Sequence, residues 1–294
     1  MHKEYIIIGK NGQLGSEFCD LLQDDAKAFS HSDLDLSIYK NITEEFKDIK
    51  AKVIINCSAY TKVDKAEEEI GEAFKANETI PKNLAKYCLE NNLIFVHFST
   101  DYVFSGTGQA AQNEDSPTSP INQYGKSKLA GEKAIKKIGG KYLIFRTSWV
   151  YNSTGANFFN TMLRLANERD ELSIVNDQIG SPTYCEDIAN NTLLALNNTR
   201  NMDNFPSGIY HLCNSGETSW YEYANKIFEL AKNHNIQLKI KKTYPIPTSQ
   251  LSTAAKRPLN SRLDCRKAKS ILNIQMPNWQ DSIQKSIEKK YESN

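Results

Sequence analysis

The run YIIIGKNGQLG, Tyr5 to Gly15, constrains this chain more than any other stretch. Four apolar residues, Tyr5–Ile8, read as a buried strand. Glycines follow at Gly9, Gly12 and Gly15, in G-x-x-G-x-x-G spacing, and lead into an amphipathic helix over Gln13–Leu22. Glycines at such a strand-to-helix junction allow a tight turn and let backbone approach a pyrophosphate. The phosphates then sit on free N–H groups at the helix N-terminus. A plain turn accounts for one glycine and not for three, so a dinucleotide-binding start is the better reading.

The rest of the first half keeps that rhythm. Short apolar runs at Lys27–Phe29, Val53–Cys57, Leu93–Phe98 and Tyr142–Phe145 alternate with helical patterns near Thr43–Ile49, Ala66–Ala76, Pro81–Asn91 and Tyr124–Ile138. Continuous apolar strands between amphipathic helices mean a parallel sheet covered on both faces. The predicted fold class is therefore α/β, a Rossmann-like doubly wound parallel sheet followed by a smaller, irregular α/β region. Residues 1–150 form the NAD(P)-binding part, with short segments near 172–177 and 185–214 packing back onto it. Residues 151–294 form the second region, and the proline-bearing stretch Tyr244–Asn260 reads as a long loop.

Bulk properties exclude several function classes. Lys and Arg (36) nearly balance Asp and Glu (35), so no whole-molecule field recruits nucleic acid or an anionic membrane. No apolar run approaches the length of a membrane span, and the first strand begins too early for a signal peptide, so the expected location is cytoplasmic. Six cysteines without a C-x-x-C pair read as free thiols. His97, inside an apolar run, reads as a packed residue rather than a ligand.

The chemistry concentrates later. STDYVFSG, Ser99 to Gly106, falls at the end of the fourth strand, where ligands of open α/β sheets bind. About 25 residues on, YGKSK places Tyr124 and Lys128 on one helix face. Hydride addition to a ketone leaves charge on oxygen, which needs a proton and a hydrogen-bond donor. Tyr124 suits the donor role, Thr100 the second hydroxyl, and Lys128 the cation that would lower the phenol's pKa. In a chain with 14 tyrosines, a Tyr-x-x-x-Lys arises about once by chance, so its order after the glycines and Thr100 is what gives it weight. The second strand ends in Ser30-His31-Ser32 with no carboxylate at its tip. A 2′-phosphate would not be repelled there, which leans towards NADPH, with NADH also able to serve.

These motifs, with NCSAYTKVDKAE, RTSWVY, NDQIGSPT and RPLNSRLD, resemble the extended short-chain dehydrogenase/reductases over nearly the whole length. Within them the chain is similar to the branch that reduces the C4 ketone of a nucleotide-linked 6-deoxysugar. That resemblance implies Tyr124, Lys128 and Thr100 as the catalytic set and residues 151–294 as the sugar-nucleotide region. Gly12, Gln13 and Leu14 would line the cofactor phosphates. Asp35 and Leu36 would flank the adenine, and Ser58, Ala59 and Tyr60 would border the cofactor's other side. Thr100, Asp101 and Trp149 would meet the sugar. Some members bind magnesium through glutamates at a homodimer interface; Glu17 and Glu186 match two such positions, and the third falls near Glu288-Lys289. Monomer and homodimer both stay open. Two alternatives share the scaffold. One is an epimerase or dehydratase, although Asp101-Tyr102 stands where dehydratases carry Asp-Glu. The other is a non-catalytic regulatory subunit.

Overall fold

The computed structural model describes residues 3–291. Its centre is a six-stranded, all-parallel sheet built from β1 (Tyr5–Ile8), β2 (Ala26–Phe29), β3 (Val53–Asn56), β4 (Ile94–Thr100), β5 (Lys141–Thr147) and a late strand, Gly208–His211. Their spatial order is β2-β1-β3-β4-β5 with Gly208–His211 at the far edge. The order reverses between β1 and β3, and the crevice beyond the carboxyl ends of these strands is where such sheets bind ligands.

The centres of the inner strands are apolar because both faces are covered. Ile7, Ile55, Val96 and Phe98 face one core with Leu14 and Phe18 of α1 (Gln13–Leu22). Ile6, Ile8, Ile54 and Phe95 face the other, with Ile42 and Phe46 of α2 (Tyr39–Phe46). The two helices expected at Ala66–Ala76 and Pro81–Asn91 are instead one rod. It runs through α3 (Ile70–Phe74), a π turn at Lys75–Thr79 and α4 (Ile80–Glu90), with Pro81 in the first turn of α4. A π turn shifts the register and often marks a functional position. Here it carries the fully buried Asn77, which donates to the Ser127 hydroxyl at 2.9 Å and exchanges hydrogen bonds with the backbone of Tyr60. The rod is thereby locked to α5 (Gln123–Ile138).

The second region has its own core, in which Tyr151, Phe159, Tyr223, Ile227, Trp279 and Ile283 pack together. Tyr151 comes from the short strand Val150–Tyr151, and the others from α6 (Phe158–Glu168), α8 (Trp220–Asn233) and the C-terminal helix Trp279–Tyr291. The expected return of 172–177 to the main sheet does not occur. Glu171–Val175 pairs in parallel with Lys242–Ile246 in a separate two-stranded sheet, so the start of the stretch expected as a loop is a strand. Pro245 is tolerated because the ribbon has only two strands and edge positions need no donor on their open side. By contrast, α7 (Cys185–Thr199) packs Ile188 and Leu196 into the main core, and Gly208–His211 pairs with β5.

Candidate active site

The phosphate loop is built as the glycine spacing demands. Gly9 has φ +89°, a left-handed conformation that favours glycine. At Gly15 a Cβ would come within 2.0 Å of the Gly9 carbonyl, so this glycine acts by letting α1 close onto the loop. Gly12 caps α1 without any side-chain hydrogen bond, leaving the first-turn N–H groups uncapped for an anion. Gly9 and Gly12 line a cleft of about 590 Å³ together with Asp35, Leu36, Ser58 and Ala59. An uncapped helix start opening into a cleft of that size fits a dinucleotide.

Three residues assigned to the cofactor stand differently. The side chain of Gln13 is held by Asn157 at 2.7 Å, and that of Leu14 is in the core, which leaves only their backbone for phosphate. Tyr60 is clamped by Asn77 and bonded to Glu69, away from the cleft lining. Lys75, the first residue of the π turn, and Ile80, the first of α4, which no motif singled out, do line the cleft. The two nearby acids carry counter-charges. Asp33 lies 2.7 Å from Lys10 and accepts the Ser30 N–H, which holds its carboxyl down to about 2. Asp35 is bonded by Ser37 and stands 3.6 Å from Lys75.

At the end of β4, Thr100 and Asp101 meet the N-terminus of α5. Asn122 caps this helix through the Gly125 N–H at 2.8 Å. A Cβ at Gly125 would come within 2.2 Å of the Tyr102 carbonyl, so glycine lets the helix start touch the Thr100–Tyr102 turn. This contact brings Tyr124 beside Thr100. Burial pushes the phenol up to about 12, a hydrogen bond with Thr100 draws it back, and Asp101 adds to the rise. Burial also raises Asp101 to about 6, against hydrogen bonds from Ser261 and Thr100, and its Oδ2 has no hydrogen-bond partner.

The expected acidification of Tyr124 by Lys128 is not what the structure has. Lys128, only 2% exposed, runs down to β4 and donates to the Phe98 carbonyl at 2.6 Å, with His97 Nε2 at 3.4 Å. Its ammonium is spent on the strand backbone, and burial pulls it down to about 8. The dominant charge effect in the site is therefore a depressed lysine, with the phenol kept protonated.

Trp149 also differs from a lone sugar platform. It stacks on Trp220 with ring centroids 3.6 Å apart and 12° between planes, and it has φ +49°, a strained conformation for an indole residue. Trp220 was not legible from spacing; a tryptophan opening a capped helix carries no such signal.

Glu17 and Glu186 do converge, but on a cation from the same chain. Lys289 Nζ stands 3.3 Å from Glu17 and 3.0 Å from Glu186, and Asn152 donates to Glu17 at 2.8 Å. No group of three His, Cys, Asp or Glu residues suited to a metal exists among the described residues. The two carboxylates suggested for magnesium thus share one ammonium within the chain, and nothing here supports a metal between them.

A parallel dinucleotide sheet whose fourth strand and following helix gather a threonine, a tyrosine and a lysine defines a Rossmann-type oxidoreductase of the short-chain dehydrogenase/reductase kind. More narrowly, the chain belongs to the family described as RmlD substrate binding domain, which matches residues 3–292. It is 40% identical over 289 residues to the dTDP-4-dehydrorhamnose reductase of Escherichia coli K12, with 96% of each chain covered. To the reductase of the same name from Salmonella typhimurium it is 41% identical over 288 residues, again with 96% of each covered. The crystal structure of a dTDP-4-dehydrorhamnose reductase from Bacillus anthracis in complex with NADP superposes with a TM-score of 0.89 at 36% identity, covering 98% of this chain and 100% of that one. Among the described residues no helix is long and apolar enough to cross a membrane.

Proposed function

We propose that the protein reduces the C4 ketone of dTDP-4-dehydrorhamnose to give dTDP-L-rhamnose for cell-surface polysaccharide, with NADPH as the reductant. The observation that supports this reading is Tyr124 hydrogen-bonded with Thr100, with Lys128 one turn further along the same helix, in a chain about 40% identical to reductases of that name. The bound cofactor supplies hydride. Tyr124, protonated at neutral pH, gives its proton to the oxygen on which charge develops, and Thr100 offers a second hydroxyl to the same atom. The Trp149–Trp220 stack gives the deoxysugar an apolar contact.

NADPH is favoured over NADH because no unpaired carboxylate waits at the second strand's end. Lys10 neutralises Asp33 and Lys75 attends Asp35, while Ser30, His31 and Ser32 line the cleft. The Bacillus anthracis relative, moreover, was solved with NADP. A dehydratase reading is weakened at Tyr102, whose phenol burial pushes well up and so makes a poor base. The test is absorbance loss of NADPH with the dTDP-4-keto sugar. Turnover by the wild type and its collapse in Tyr124→Phe are expected; an inactive wild type, or an unaffected variant, refutes the reading.

A further inference from the structure

Two of the cysteines spread along the chain meet at the edge of the main sheet. Cys213, two residues beyond the edge strand Gly208–His211, is 5% exposed. Its sulfur lies 3.5 Å from that of Cys265, the half-buried residue that precedes α9 (Arg266–Leu272). The other acceptors in reach, the Leu263 and Cys213 carbonyls, are farther away, at 3.9 and 4.0 Å. Both thiols line a cleft of about 450 Å³, which shares no lining residue with the dinucleotide cleft. A small reagent can therefore reach the pair without displacing the cofactor.

The two thiols are unequal. A hydrogen bond from Cys213 draws the Cys265 thiol below its ordinary value, against burial and the nearby acids Glu114 and Asp264. The same contact, together with burial, pushes Cys213 well up. The more open sulfur is thus the better nucleophile, and the buried one is placed to resolve what forms on it. We propose that Cys213 and Cys265 are a redox-responsive pair that a peroxide converts to an intramolecular disulfide. The Cys265 thiolate attacks one peroxide oxygen, the O–O bond breaks, and the second oxygen leaves as water, so Cys265 becomes a sulfenic acid. Cys213 then loses its proton as its sulfur attacks that of Cys265; the S–S bond forms, the S–O bond breaks, and a second water leaves. Overall the pair gives up two electrons and two protons, and hydrogen peroxide is reduced to two waters. A dithiol reductant reverses the step by exchange.

The bond ties the sheet edge to the segment that backs the catalytic end of β4. Ahead of Cys265, the Asn260 N–H donates to the Gly106 carbonyl at 2.9 Å and the Asp264 N–H to the Gln112 carbonyl at 2.8 Å. Pro258 packs so closely on Gly106 that a Cβ there would come within 2.2 Å of it. Ser261, in the same segment, hydrogen-bonds Asp101. A disulfide holds its sulfurs about 2 Å apart, so the pair must close by about 1.5 Å. Cys213 follows directly on a sheet strand and Cys265 sits at a loop-to-helix junction, so the loop side yields and Ser261 shifts against Asp101. This effect on turnover rests on the reductase reading; the disulfide itself does not.

The experiment is titration of the reduced full chain with hydrogen peroxide, followed by alkylation, proteolysis and mass mapping. Wild type is expected to yield a cross-linked peptide joining Cys213 and Cys265, two hydrogens lighter than the reduced pair and lost with dithiothreitol. Consumption of NADPH with the keto sugar should fall about tenfold or more on oxidation, the scale on which ångström displacements act, and return with dithiothreitol. Cys265→Ser should give no cross-link and keep its turnover at the same peroxide dose. If that variant does not fold, Cys213→Ala removes the resolving sulfur instead and should leave a sulfenic acid on Cys265 that dimedone traps. A wild type whose Cys265 goes on to sulfinic acid without bridging, or a peroxide loss of turnover as large in Cys265→Ser as in wild type, overturns the proposal. Absence of turnover before any oxidation would refute the reductase reading, and the peptide map would still decide the disulfide.

Discussion

Two buried charge sites lie one turn apart on α5, and they are built on opposite plans. Around Glu132 everything is matched. Arg146 donates from Nε at 2.9 Å and from Nη2 at 2.7 Å, Ser99 adds its hydroxyl, and both charged side chains are at most 3% exposed. Around Lys128 and Tyr124 little is matched. The lysine has no carboxylate of its own, Asp101 Oδ2 has no partner, and the phenol, the lysine and the acid all sit away from their ordinary values. Both sites share the same strand ends, so depth does not distinguish them. A satisfied pair holds β4, β5 and α5 in register, whereas unsatisfied groups in a cleft are where proton chemistry is expected.

Substitutions can break or sharpen that contrast. The largest effect belongs to Tyr124→Phe, which should lower turnover by roughly a hundred- to ten-thousandfold. Its melting temperature and NADPH fluorescence quenching should stay near wild type; an equal loss of stability would place Tyr124 with the structural site. Next comes Glu132→Gln, which leaves Arg146 buried without its counter-charge. Urea unfolding should show a loss of about 3–5 kcal/mol. A near-neutral result would mean that the matched site does not hold the strands.

Asp101→Asn should act in the other direction on stability. A carboxyl raised in the folded state to about 6 favours folding while it is protonated, below its ordinary value near 4, and that advantage is lost as pH rises through 6. The amide variant should therefore gain up to about 3 kcal/mol over wild type at pH 7.5 and nothing at pH 4. Equal curves at both pH values would return Asp101 to the matched class. Smallest is Arg164→Ala, which removes an exposed i,i+4 pair with Glu168. It should move stability by no more than about 0.5 kcal/mol in the same urea assay, which sets the floor for reading the other three.

Some of this was open to reading in one dimension. Gly9, Gly12 and Gly15 announce the loop because backbone geometry is local, and Tyr124 and Lys128 share a face because a helix turn is local. The strand positions were legible because burial on both faces requires unbroken apolar runs. Other features depended on distant partners. Trp220 covers Trp149 across 71 positions of chain, and Lys289 reaches Glu17 from the opposite end of the sequence. Lys75 and Ile80 line the cleft from the two ends of a π turn that the helical pattern near Ala66–Ala76 does not signal. His97 reads as a packed residue, and it is one; its hydrogen-bonding role appears only once Asn56 and Lys128 flank it.

The sequence by itself determined the kind of sheet, the phosphate turn and which residue types could move a proton, since each follows from periodicity and spacing within a few residues. Only the tertiary structure decided what those groups are at neutral pH. Charge state depends on burial and on partners brought from other strands and helices, so Lys128 is drawn to the Phe98 carbonyl and lowered, and Tyr124 is kept as an acid.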